Sequence, residues 1–337
     1  MTKFKAFILT AFLLASSATW ASGSEHNKPF DLADVLAHHL MDHAFIPLNF
    51  GGKKVMEGEP GYDPHHASAV FEDHTTHKKY HFVGGLDLHI TKRVTMMWIA
   101  AVFLLAVFIP AANKIKANPN GVASRFTNVV EVLVNFIRKD VADVNMDSHH
   151  HGDAKPYYGY VLSLFFFILF CNLFGLIPPV GEYLALGNSH SFIANFWSGI
   201  TATGDVSVTG SLAAITFLLI FVTGFAKQGP SFFFVGIVPK GVPAALYPML
   251  WFLEALVSPL AKVFALTIRL FANMTAGHII ILAFMGFIFQ FQNYLVAIPS
   301  ISGSVAIFLL EIFVAFLQAY IFTLLTCLFV GSAMHRH

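Results

Sequence analysis

Charge is what this sequence has least of: Asp, Glu, Lys and Arg make up 12% of its 337 residues, and they balance to a net +1. No run of Lys and Arg is long enough to track a phosphate backbone, which excludes nucleic acid as a partner. Cysteine is nearly absent too. Cys171 and Cys327 both lie inside apolar runs, where a thiol behaves as a small hydrophobe, so neither a disulfide framework nor a cysteine metal site is expected. A G-x-x-x-x-G-K-[ST] loop does not occur, so the chain does not itself carry out nucleotide chemistry. What replaces all of these is apolar mass: 56% of the residues are hydrophobic and 37 are Phe. A soluble domain needs far less, so most of the chain is solvated by lipid.

The first residues carry Lys3 and Lys5, then an apolar stretch from Ala6 to Ala15, then small residues around Ala18 to Gly23. This is the layout of a secretory signal over residues 1–21, an uncleaved anchor helix being the alternative. An exported segment, 22–90, follows. Residues 25–90 hold 10 of the 17 histidines; His74, His77 and His81 fall at spacings that one helix face can share, and an i, i+4 pair can grip zinc or copper. Solvated side chains outside the membrane are the simpler reading, and no resident metal or cofactor is assigned.

The membrane domain, 91–337, opens with an apolar run from Val94 to Ala112, long enough to span a bilayer. Further spans read as Tyr158 to Pro178 and Gly210 to Phe225, before a nearly continuous apolar region from Val242 to Ala333. Between the first two spans Phe126, Val129, Val130, Leu133, Val134, Ile137 and Val141 follow the rhythm of an amphipathic helix on the membrane surface. The connection from Asn113 to Asp140 carries five Lys or Arg and that from Pro179 to Thr209 carries none, which places the N-terminus outside and the C-terminus inside. Lys92 and Arg93 sit on the wrong side of that count.

Proline is missing from Leu260 to Ile298, and 39 helical residues would reach ~58 Å, about twice the hydrocarbon thickness. Such a helix must tilt strongly or break. Pro299, Ser300, Ser302 and Gly303 offer a turn into a second long helix. The expected fold is therefore an all-α membrane protein of five to six membrane helices, with a tilted C-terminal helical hairpin and one amphipathic surface helix.

Only four charged side chains occur from 241 to 334: Glu254, Lys262, Arg269 and Glu311. A central Arg costs about 2.5 to 3.5 kcal/mol on insertion scales and cannot shed its proton. Asn273 shares its helix face, whereas His278, nine residues on, faces the other way. On the partner helix Glu311 and Gln318 share a stripe. Folded back, the hairpin brings His278 toward Glu311 and Gln318 toward Arg269. A His beside a carboxylate in a dry site exchanges a proton at modest cost; a static hydrogen bond fixing the register is the other reading of the same pair.

The run Ile268-Arg269-Leu270-Phe271-Ala272-Asn273-Met274-Thr275-Ala276-Gly277-His278, with Leu317-Gln318-Ala319-Tyr320 downstream, resembles subunit a of F-type ATP synthases. Supporting pieces are Asp205-Val206-Ser207-Val208-Thr209, Asn172-Leu173-Phe174-Gly175-Leu176-Ile177-Pro178, and Ser258 eleven residues ahead of the arginine. The resemblance covers roughly residues 85 to 334. It implies a non-catalytic stator beside a rotating ring of c subunits, held with peripheral-stalk b subunits and the other ATP synthase subunits in a bacterial inner membrane. Protons would reach ring carboxylates through an outer half-channel and leave through an inner one, with Arg269 between the two. Asn273, His278, Glu311 and Gln318 match residues of the outer path, with Asn172 and Asp205 at its margin; Ser258 and Glu254 match the inner one. The sequence departs from the pattern at Ala272, where many relatives carry glycine, at Glu254, one residue out of step, and at His278 and Glu311, which exchange the places of a carboxylate and a histidine. That pair favours protons over sodium, which imidazole does not usefully coordinate. The alternatives are a self-contained ion-coupled transporter, which should show paired repeats that are not found, and a membrane metalloprotein, which should cluster its ligands.

Overall fold

The computed structural model describes residues 44–46, 49–57, 59–60, 71–72, 79–84, 86–117, 124–146, 154–177, 201–229, 246–291 and 293–334. Short β-rich stretches near the N-terminus form an antiparallel ribbon. Strand β1 (Ala44–Ile46) pairs with β7 (Ile90–Thr91), β2 (Asn49–Phe50) with β6 (Leu86–Asp87), and β3 (Lys53–Met56) with β5 (Lys79–Val83), which also pairs with β4 (Phe71–Glu72). Val55 and His81 are cross-strand partners and both are buried, and Phe71 stacks on Tyr80 at 5.6 Å and meets His89 edge-on at 4.9 Å. Aromatic cross-strand packing of this kind is what stabilises a narrow ribbon. His81 thus lies on a strand, which removes it from the helix face considered from its spacing; His74 and His77 lie outside the described residues. Among the described residues no group of three His, Cys, Asp or Glu gathers as a metal site.

The ribbon runs straight into the first membrane helix, α1 (Lys92–Ala117). Thr91 starts it, its hydroxyl accepting the Val94 N–H at 3.4 Å. Helix α2 (Arg125–Phe136) begins at Ser124, whose side chain accepts from Thr127 N–H, and continues through a wider-wound stretch, Ile137–Asp143, to a last turn, Val144–Met146. The expected amphipathic face divides in two. Val130, Ile137 and Val141 are buried in the bundle, whereas Phe126, Val129 and Leu133 stay exposed, as suits a helix lying against lipid. Helix α3 (Tyr158–Gly175) follows, and Tyr158 hydroxyl donates to the Asp143 carboxylate, tying the two together.

A single 3-10 turn, Ala202–Gly204, leads into α4 (Val206–Gln228), with Asp205 as the cap. Helix α5 (Tyr247–Phe252) passes through a wide turn, Leu253–Val257, into α6 (Ser258–Phe291), and α7 (Tyr294–Met334) completes the hairpin. Among the described residues five helices are long and apolar enough to cross a membrane: α1, α3, α4, α6 and α7. This is the all-helical membrane architecture expected from the apolar runs, and the described strands all lie in the segment before it. Helices of 34 and 41 residues run to about 51 and 61 Å at ~1.5 Å per residue, so α6 and α7 must tilt to match a ~30 Å core.

The hairpin passes from α6, ending at Phe291, to α7, starting at Tyr294, ahead of the place that Pro299 to Gly303 indicated. Asn293 opens α7: its side-chain oxygen accepts the Leu295 N–H at 3.0 Å and its carbonyl accepts from Val296 and Ala297. Asn is among the strongest cap residues. Pro299 is carried inside α7, and the small residues after it serve packing. A methyl group added at Gly303 would come within 3.0 Å of the Phe284 ring on α6, and Ser300 and Ser304 are buried. The core joins α3, α4, α6 and α7 through Phe165, Leu169, Ala213, Leu266, Leu270 and Phe322, with α1 laid on α3 by Phe108 against Phe166 at 4.5 Å.

Candidate functional site

The two faces of α6 differ in kind. Leu266, Leu270 and Met274 are buried against the bundle, while Ala261, Ala265, Arg269, Ala272, Asn273 and Ala276 line the exposed side. Arg269 and Asn273 therefore share a face, as their spacing predicts. Arg269 makes no hydrogen bond or ion pair with any described residue. Its guanidinium is a permanent charge that this chain leaves without an internal counter-ion among the described residues.

The other side of α6 meets α7 closely at Gly277. A methyl group built there would lie 1.9 Å from Oε1 of Glu311 and 2.7 Å from its Cδ, so the carboxyl group occupies the space that a side chain at 277 would take. Glu311 is 7% exposed, and its Oε2 finds no hydrogen-bond partner among the described residues. His278 follows Gly277 on the helix; its side chain lies outside the described residues. The register continues in both directions. Eight residues back along α6 is Arg269, and seven residues on along the antiparallel α7 is Gln318, buried at that level. Helix rise puts Arg269 about 12 Å and Gln318 about 10.5 Å from this contact along their helices, and no hydrogen bond joins the two.

Asn172 is fully buried with both ends of its amide engaged. Its Nδ2 donates to the Ala315 carbonyl at 3.2 Å, and its Oδ1 accepts from Thr203 hydroxyl at 2.6 Å. Ala315 stands one turn after Glu311. The 3-10 turn is the meeting point of α1, α3, α4 and α6: Thr201 packs so tightly on Gly175 that a methyl group there would overlap it, and Thr201 and Thr275 both border Gly204. Asp205 closes the turn. Its Oδ1 accepts the Ser207 N–H at 2.6 Å, and its Oδ2 pairs with Nη1 of Arg93 at 2.7 Å. Partial burial opposes ionisation of Asp205, but the Arg93 hydrogen bond, the Ser207 N–H and the Arg93 charge outweigh it and hold the carboxyl below its ordinary pKa.

Ser258 starts α6 and is partly buried; Glu254 is exposed on the wide turn before it. The two lie one turn apart, and Ser258 is ~16.5 Å along the helix from Arg269. They are not in contact with the Glu311 group. Lys262 sits between these levels with its Nζ 4.5 Å from the Phe329 ring centre, a cation–π contact that lowers the cost of a half-buried ammonium. Sequence reasoning missed Gly277, Thr203 and Arg93. A glycine that makes room for a distant side chain, and a threonine paired across 31 residues, leave no local pattern to read.

The family described as ATP synthase A chain matches residues 94–331. The chain is 41% identical to the ATP synthase subunit a of Chloroherpeton thalassium over 75% of its own length and 68% of that protein's. The chain belongs to the ATP synthase subunit a family. It is 37% identical to the subunit a of Anaeromyxobacter sp., covering 94% of itself and 74% of the relative, and 38% identical to the ATP synthase subunit a 2 of Chlorobaculum tepidum, covering 95% and 77%. As a subunit a it is a multi-pass membrane protein and a non-catalytic proton-channel subunit of ATP synthase. The family match begins two residues into α1, after the β-ribbon, whereas the alignments to the Anaeromyxobacter and Chlorobaculum relatives, at 94% and 95% of the chain, extend into the ribbon as well.

Proposed function

We propose that this chain is the stationary partner of a rotating c-subunit ring in a bacterial inner membrane, with its N-terminus outside and its C-terminus in the cytoplasm, held there by peripheral-stalk b subunits. Arg269 separates two offset half-channels and drives each passing ring carboxylate to give up its proton. The observation that carries this reading is Arg269 itself: a permanent cation on a membrane helix, exposed on a face of small alanines, with no counter-ion among the described residues. Such a charge is tolerable where an anion from another chain repeatedly meets it. A fixed positive charge favours the ionised form of that anion and repels a proton attempting to pass straight through.

The outer path uses Asn273, His278, Glu311 and Gln318. Support comes from Glu311, a buried carboxyl with one oxygen unpartnered among the described residues, beside the helix position preceding His278, and from Ser300 and Ser304, buried on the same α7 stripe toward the start of α7. Asn172 and Asp205 border it. The inner path runs by Ser258 and Glu254 at the opposite end of α6. No ATP chemistry is assigned to the chain.

The test is ATP-driven acidification of inverted membrane vesicles carrying wild type, Arg269→Ala or Arg269→Lys, in complexes shown to assemble. Loss of pumping in both variants, with ATP hydrolysis by the detached catalytic part intact, is the expected result. Pumping that survived Arg269→Ala would make the arginine structural and end this assignment.

A further inference from the structure

Arg93 belongs to no element of the proton path proposed above, and loop charge counting makes it an anomaly. Its place in the fold explains it. The Arg93 and Asp205 side chains are 13% and 21% exposed, 112 residues apart in sequence, and joined at 2.7 Å. The second oxygen of Asp205 is committed to the first turn of α4, so both lone-pair faces of the carboxylate are used and its charge is stabilised by an arginine and a helix N-terminus together. Two residues earlier, Thr203 donates to Asn172, and Asn172 donates to the carbonyl of Ala315. Two sets of short polar contacts, joined through the backbone of the 3-10 turn between Thr203 and Asp205, thus link the outer end of α1 to the turn of α7 that follows Glu311.

That link matters because little else fixes Glu311. One oxygen has no hydrogen-bond partner among the described residues, and the rest of the side chain rests on the bare backbone of Gly277. Its position is set by where the α7 backbone lies, and among the described residues Asn172 is the side chain from another helix that bonds this backbone.

We infer that Arg93 is a positioning residue for proton transfer: its ion pair with Asp205 clasps α1 to the 3-10 turn and, through Thr203 and Asn172, holds the part of α7 that presents Glu311. Asp205 is then a fixed anion and carries no proton. The inference rests on the proton-path reading of Glu311 above, and it separates two roles that proximity alone would merge.

The experiment uses the same vesicles and assembled complexes. Arg93→Gln and Asp205→Asn each leave one charge without its partner, and each is expected to slow pumping roughly tenfold, as removal of one member of a partly buried pair does. Arg93→Lys keeps most of the rate. The deciding variant is Arg93→Gln with Asp205→Asn. Asn still caps α4 and a neutral amide pair replaces the ion pair, so pumping recovers at least about fivefold over the worse single variant. If the single variants do not assemble, the same comparison is read on the yield of complex. A double variant no better than the worse single, whether it fails to pump or to assemble, shows that the carboxylate at 205 is itself required and overturns the inference. Single variants at the wild-type rate overturn it too. Neither outcome touches the Arg269 test, which stands or falls on its own variants.

Discussion

Replacing Gly277 with alanine tests the site at its tightest point. The added carbon would stand 1.9 Å from Oε1 of Glu311, 2.7 Å from Cδ and 2.9 Å from Cγ, against ordinary carbon contacts of ~3.5 Å or more. Something must move by about 1.5 Å. The helix gains, since Ala in a helix interior is favoured over Gly by about 0.8 to 1 kcal/mol. Overpacking costs about 1 to 3 kcal/mol, but the atoms in the way belong to a flexible side chain, and an off-rotamer Glu costs only about 0.5 to 1.5 kcal/mol. Stability is therefore expected to change by less than about 1 kcal/mol while the carboxyl group is displaced. A misplacement of about 1 Å can cost ~100-fold in a transfer step, so proton pumping should fall by about 10- to 100-fold in complexes that assemble normally. Combining Gly277→Ala with Glu311→Asp shortens the acid by one methylene and should restore part of the rate. The assay is ATP-driven acidification in inverted vesicles, with complex yield as control. Wild-type pumping by Gly277→Ala would refute the argument that Glu311 works from the position it occupies against Gly277.

Two further outcomes follow from the neighbouring contacts. Asn172→Ala removes two hydrogen bonds and opens a small void at a fully buried site; it should destabilise the subunit by about 2 to 4 kcal/mol, seen as earlier release from the purified complex on heating. Asp205, with its pKa held down by Arg93 and the α4 cap, contributes stability that is present above its unfolded pKa of ~3.9 and is lost as pH falls through the lower folded value. The heat-stability gap between wild type and Asp205→Asn should therefore close below about pH 4; a gap as wide at pH 3 as at pH 7 would contradict that account.

Much of the membrane domain is legible because lipid enforces simple rules. Apolar length marked the spans, and the 3.6-residue rhythm marked α2. Helix rise pointed His278 toward Glu311, and the structure sets Glu311 against Gly277, the residue before it. The turn was misplaced because Pro299, Ser300 and Gly303 look like turn residues, yet small side chains also serve where a neighbouring ring such as Phe284 presses close. Asn293, a single capping residue, was the true signal and carries less weight in a local count. The β-ribbon escaped notice because strands of two to five residues barely establish a period. Arg93 was visible only as an exception to charge counting; its partner is 112 residues away, and no sequence spacing encodes such a meeting.

The short spacing between α6 and α7 also bears on how the protein is made. With only two residues between Phe291 and Tyr294, α6 has no loop in which to wait on one side of the bilayer. The segment that carries Arg269 is poorly suited to entering lipid alone, while α7 has a single acid, Glu311, in 41 residues. The two must enter as a pair, α7 drawing α6 across and meeting it through Gly277 and Gly303. The same contacts that later place the carboxyl group are thus among the first that a newly inserted hairpin makes.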